Sequence, residues 1–180
     1  MNNYNSLRQK YRPTHIKILL IAESPPPGAE VASSRHFYRS DRIRKDDRLF
    51  TNTIRAIYPT AAHEAEPELE SEKEQWLRRF QADGFYMIEA LEESQVHEVT
   101  KKQRQERIHQ ALAGLIDRVG SLVANDTKII LIKSNVFTVV ATPLRQAGFQ
   151  VLNTELVDYP GRFNQHAYRQ KIAALLKSAG

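Results

Sequence analysis

Glu23 is the acidic side chain whose sequence neighbours constrain it most. It closes the run Ile16-Lys17-Ile18-Leu19-Leu20-Ile21-Ala22 and opens the turn Ser24-Pro25-Pro26-Pro27-Gly28. The run is apolar except for Lys17, as suits a strand buried on both faces. It cannot continue through three prolines, each of which lacks an N–H and fixes φ. A carboxylate is therefore presented where a buried strand meets a stiff loop. In open α/β sheets that edge is where ligands bind. With the other groups delivered to that edge, a carboxylate there suits hydrolysis by a positioned water or the binding of a planar heterocycle. The segment alone fits a solvated side chain at a strand end equally well.

Other segments carry chemistry of related kinds. Arg35-His36-Phe37-Tyr38-Arg39 interleaves aromatics with cations, a composition suited to stacking on a base while holding phosphate. Phe37 fits a stacking platform or a core position, whereas Tyr38 reads as core. Leu156-Val157-Asp158-Tyr159-Pro160-Gly161-Arg162-Phe163-Asn164 offers a hydroxyl, a guanidinium and an amide on a proline-stiffened loop. Glu89 ends a second apolar run, and Ser134-Asn135 follows a third. No G-x-x-x-x-G-K or G-x-G-x-x-G cradles a phosphate, and no G-x-S-x-G elbow presents a serine. A magnesium site between Glu23 and Glu89 has only strand-end position in its favour. The chain has no cysteine, which excludes thiolate metal sites, iron–sulfur clusters and a cysteine nucleophile. The six histidines lack ligand spacing, so neither metal nor cofactor is expected.

Four strands must position these groups. They are expected at residues 16–22, 85–90, 128–133 and 149–153, the third being the most continuously apolar and hence central. Helical periodicity joins them. One helix is expected over 49–58, stopping at Pro59. A second follows the capping box Ser71-x-x-Glu74 and ends near Gly84. A long one follows Thr100-x-x-Gln103 and carries Ile108, Leu112, Leu115, Ile116 and Val119. A fourth is capped by Ser134 or Asn135 and restarts at Thr142-Pro143, and the last spans about 164–177. The glutamate-rich stretch 59–71 reads as loop. Strands alternating with helices give one three-layer α/β/α domain over residues 1–180, with a four-stranded parallel sheet.

The formal charge is +5, unevenly spread. Basic residues concentrate in segments 35–48 and 101–107, while glutamates crowd 64–74. A basic face beside an acidic flank suits a polyanion, and DNA is the expected partner. No apolar run reaches membrane-spanning length and the polar start is unlike a signal peptide. A soluble cytoplasmic monomer that does not engage membranes is expected.

In order along the chain, these pieces resemble the uracil-DNA glycosylase superfamily. The G-E-A-P-G type of first-strand motif is matched by Ala22-Glu23-Ser24-Pro25-Pro26. The aromatic that follows is matched by Phe37, and the late H-P-S or H-P-A loop by Asp158 to Asn164. The resemblance implies a uracil-DNA glycosylase-like fold and cleavage of the N-glycosidic bond of a damaged base flipped out of DNA. It gives Glu23 the role of positioning water against an oxocarbenium-like sugar. Pro25 to Pro27 would press on the DNA backbone, Ser24 would lie among the substrate contacts, and Phe37 would stack on the base. Tyr159 stands where the family's histidine stabilises the departing base, and a tyrosine can donate a hydrogen bond but not an imidazolium charge. Glu89 stands where the family commonly has a base-reading Asn, and an ionised carboxylate only accepts hydrogen bonds. Asn135, Arg162 and Asn164 complete the expected pocket edge and phosphate contacts. The alternatives are a non-catalytic nucleic-acid or nucleotide-binding module and a small-molecule hydrolase.

Overall fold

The computed structural model describes residues 3–26, 36–40, 47–94 and 100–179. The four strands are β1 (Ile18–Ala22), β2 (Phe85–Glu89), β3 (Lys128–Leu131) and β4 (Gln150–Val151). They pair in parallel in the order β2-β1-β3-β4. The three-layer α/β/α architecture read from the sequence is what the chain adopts. β1 and β3 form the centre, and the side chains of Leu19, Leu20, Ile21, Ile129, Ile130 and Leu131 are buried. β4 is shorter than expected because an amide takes over its ladder. Asn153 Oδ1 accepts from Leu131 N–H at 3.0 Å and its Nδ2 donates to Leu131 C=O at 3.1 Å.

The helices are α1 (Asn3–Gln9), α2 (Arg48–Ile57), α3 (Glu66–Ser71), α4 (Lys73–Ala82), α5 (Lys101–Gln110), α6 (Leu112–Leu122), α7 (Ser134–Gln146) and α8 (Gln165–Ala179). Right-handed crossovers fix their faces. The step from β1 to β2 runs one way along the sheet, so α2, α3 and α4 cover one face. The steps to β3 and β4 run the other way, so α5, α6 and α7 cover the opposite face. α4 meets the first face through the stacked rings of Phe80 and Phe85, centroids 5.3 Å apart. α8 joins α2 there, with the Thr53 and Tyr168 hydroxyls 2.7 Å apart.

Several local expectations are corrected. Residues 59–71 are not loop but a 3₁₀ turn (Pro59–His63) followed by α3. Pro67 sits in the first turn of α3, where a missing N–H costs nothing, and Glu68 accepts from Ala65 N–H at 3.2 Å. Ser71 closes α3 rather than capping α4, its hydroxyl donating to Glu68 C=O. α7 runs through Pro143 without restarting. The long helix after Thr100 breaks at Ala111 into α5 and α6, although its capping box forms, with Gln103 N–H donating to Thr100 Oγ1 at 3.2 Å.

One glycine sets the register of the sheet's outer pair. Gly84 has φ +86°, and a Cβ there would lie 2.8 Å from Lys17 Cγ. Its carbonyl accepts from Lys17 and Ile18 N–H at 2.8 and 3.2 Å, which starts β1 opposite β2. Ile18 then pairs with Phe85 and Ala22 with Glu89. The free edge of β2 is covered in turn by Tyr38, whose hydroxyl oxygen accepts from Met87 N–H at 2.6 Å.

Candidate functional site

Glu23 follows β1 directly and is buried, with 4% of its surface exposed. The ladder continues past it, since its carbonyl accepts from Leu91 N–H at 2.9 Å. Side chains alternate along a strand, so Glu23 faces the α5–α7 side while Ala22 and its partner Glu89 face the α2–α4 side. The partners of Glu23 agree. Asn135, in the first turn of α7, donates from Nδ2 to Oε2 at 2.9 Å. Lys133 Nζ lies 3.0 Å from the same oxygen, and the Arg104 guanidinium of α5 lies 3.1 Å from Oε1. Burial alone would raise the Glu23 pKa. The Asn135 hydrogen bond and the Lys133 charge outweigh it and hold the carboxyl below its ordinary value of 4.5. Glu23 is therefore an anion at neutral pH.

Two features of this cluster point beyond packing. Asn135 spends its amide N–H on the carboxylate, while its Oδ1 is buried with no hydrogen-bond partner among the described residues. An ionised carboxylate can only accept, so the orientation of the amide is fixed and Oδ1 is the atom left over. Two acceptors thus belong to hydrogen-bonded neighbours, groups able to take hydrogens from a water or from the N–H groups of a ligand. Lys133 meanwhile has φ +82° and ψ 143°, the only non-glycine positive φ among the described residues. A side chain in that region costs about 1–3 kcal/mol and persists where the surroundings over-determine it. Here the Lys133 N–H donates to Val157 C=O at 2.7 Å, and its own carbonyl accepts the first turn of α7 from Phe137.

Glu89 occupies the same sheet edge on the other face. It is buried against Arg8 of α1, whose guanidinium donates to Oε2 at 2.7 Å. His36 Nε2 lies 3.4 Å from Oε1, close enough for an ion pair but not aligned as a hydrogen bond. Burial pushes this carboxyl up. The nearness of His36 and the charges of Arg8 and Arg118 pull it below the ordinary range. The magnesium site drawn between Glu23 and Glu89 is corrected by this geometry, because the two carboxylates point to opposite faces. No group of three or more metal-ligating residues occurs among the described residues.

The remaining expected site residues separate. Ser24 is half-buried and Pro25 buried beside Glu23. Phe37 is a core ring, 5.0, 5.8 and 5.5 Å from the ring centroids of Tyr38, Phe50 and Phe80. That packing belongs to the α2–α4 side, so the expected pairing of Phe37 with Glu23 across one slot is not what this arrangement offers. Tyr38 is core, as read. Tyr159, Arg162 and Asn164 lie on the loop before α8 and are largely solvent-accessible. Pro27, Gly28, Arg35 and residues 41–46 of the basic segment lie outside the described residues. α5 carries the second basic segment, with Lys101, Lys102 and Arg107 exposed and Arg104 turned inward to Glu23.

Sequence reasoning missed three residues. Lys133 was hidden as the end of a strand, and Arg104 as one cation of a surface run. Phe163 was passed over as part of a loop. It is 89% exposed, and the Arg162 guanidinium lies 5.7 Å from its ring centroid. An apolar ring between an arginine and an asparagine, bracketed by Gly161 and a helix start, was the available signal. No helix among the described residues is long and apolar enough to cross a membrane. No family model matches the chain, and neither the curated proteins nor the solved structures yield a match.

Proposed function

We propose that the chain is a DNA glycosylase-like hydrolase that cleaves the N-glycosidic bond of a base flipped out of DNA. The observation that carries this reading is the pair of acceptors at the carboxyl end of β1: the ionised Glu23 carboxylate and the unpartnered Asn135 Oδ1. A water that gives its hydrogens to these two atoms keeps a lone pair for an anomeric carbon. The negative charge stabilises the oxocarbenium character that develops as the base departs.

The surroundings support a nucleic-acid substrate. α5 extends cations from its exposed face inward to Arg104 at the carboxylate. Such a row neutralises successive phosphates, and its binding weakens with salt. Phe163 adds an exposed apolar ring on a short loop, the kind of wedge that enters a base stack and takes the place of an extruded nucleotide. On this reading Tyr159, Arg162 and Asn164 contact the backbone or the base edge.

Duplexes bearing uracil, hypoxanthine, xanthine or a mismatched thymine test the reading through release of the free base. Abasic product from one of them, lost in Glu23→Gln, is expected. Product that persists in Glu23→Gln removes the carboxylate from the mechanism. The second reading, a binding module without catalysis, draws on the saturation of Glu23 by two cations. It predicts salt-dependent DNA binding with no base released from any duplex.

A further inference from the structure

Lys133 brings a primary amine to the carboxylate that the proposed hydrolysis uses. Its Nζ is 3.0 Å from Glu23 Oε2, and its side chain remains 32% exposed. Its backbone adopts a conformation that glycine would occupy without strain, yet the position holds a lysine. Backbone strain of this kind clusters at functional sites, which directs attention to the amine. Arg104 shares the carboxylate and brings a second cation to it. Glu23 therefore keeps a cationic partner while the Lys133 amine, its ammonium proton passed to bulk water, acts as a nucleophile.

We infer that Lys133 attacks aldehydes, and that its substrate is the ring-opened sugar of an abasic nucleotide, the product of the proposed base excision. This substrate class rests on the glycosylase reading, but the chemistry does not require the chain to have removed the base itself. The Nζ lone pair adds to C1′ of the aldehyde, and the carbinolamine loses water to give an iminium. Glu23 takes a proton from C2′, and the electron pair of that C–H bond becomes the enamine double bond. The enamine then expels the 3′-phosphate as the leaving group, nicking the strand. Water hydrolyses the resulting conjugated imine, returning the amine and releasing an unsaturated aldehyde. No oxidant or reductant takes part.

The full chain, incubated with a duplex carrying a preformed abasic site and sodium borohydride, tests this directly. Borohydride reduces an iminium to a stable amine, so a covalent protein–DNA adduct on a denaturing gel is expected, mapping by mass spectrometry to Lys133. Lys133→Arg keeps the positive charge but has no nucleophilic amine. Lys133→Gly removes the amine and suits the positive φ. Both are expected to stay folded and to lose at least nine-tenths of the adduct. Glu23→Gln is expected to trap while failing to nick. No adduct from the parent chain, an adduct undiminished in Lys133→Arg, or one mapping to another lysine overturns the inference. Because the abasic site is supplied, a chain that releases no base but still traps at Lys133 refutes the glycosylase reading alone. One that excises a base without trapping refutes this inference alone.

Discussion

Glu23 and Glu89 end neighbouring parallel strands, both buried and both held below the ordinary carboxylate range, yet their surroundings differ in kind. Arg8 and His36, the partners of Glu89, have side chains 7% and 0% exposed. The cations on Glu23, Arg104 and Lys133, are 29% and 32% exposed, and its amide partner Asn135 has an acceptor to spare. A sealed ion pair has no room to exchange partners, and breaking it strands a charge in the interior. A carboxylate ringed by partly exposed cations can release them to an incoming anion. Glu89 thus anchors α1 to the sheet, whereas Glu23 is the carboxylate whose cations reach solvent.

The largest expected effect is on stability. Arg8→Ala leaves Glu89 buried without its closest cation and should cost about 3–5 kcal/mol in urea denaturation. Arg104→Ala leaves Lys133 and Asn135 in place and should cost no more than about 1 kcal/mol. Equal losses from the two would erase the distinction. In the opposite direction, Glu23→Gln should slow base release by about 10²-fold or more. Its melting temperature should change less than that of Glu89→Gln.

Acid tests both carboxylates, alongside Glu74, whose carboxyl is lowered to about 2 by hydrogen bonds from Ser40, Tyr11 and Lys10. Both carboxyls have folded-state pKa values lowered from 4.5, so both contribute stability that is present above pH 4.5 and lost as pH falls through their folded values. Removing either carboxylate should flatten the fall in stability below pH 4.5, measured by thermal unfolding at successive pH values. A slope unchanged in both Glu23→Gln and Glu89→Gln would show that neither carries the acid sensitivity. The smallest stability effect belongs to Phe163→Ala. It should stay within about 0.5 kcal/mol of the parent on unfolding, yet weaken duplex binding by about 1 kcal/mol in a titration at fixed salt. Affinity unchanged by that substitution would take the loop out of the DNA contact.

The parallel sheet was legible in the sequence because its strands are short apolar runs bounded by turns, and the cap at Thr100 because both halves of the box lie three residues apart. Glu23 was legible for the same reason, an anion at the end of such a run. The side of the sheet each carboxylate faces was not legible, since it depends on how β1 and β2 align, which periodicity within one strand does not encode. Phe37 shows the same gap. Its neighbours Phe50 and Phe80 are remote in sequence, and an aromatic flanked by cations looks alike whether it stacks on a base or on the core. α3 was hidden because Pro67 and a run of glutamates read as loop unless the proline is recognised as lying in the first turn. Lys133 was hidden because backbone strain leaves no mark on composition.

The contact at Gly84 has a consequence for any insertion or deletion nearby. Adding one residue between that glycine and Glu89 would rotate the end of β2 by half a pleat and send its carboxylate toward α5 and α6. Arg8 would lose its anion. Two negative charges would then compete for Arg104 and Lys133, merging an anchor and the proposed reactive centre that the present alignment keeps on separate sides.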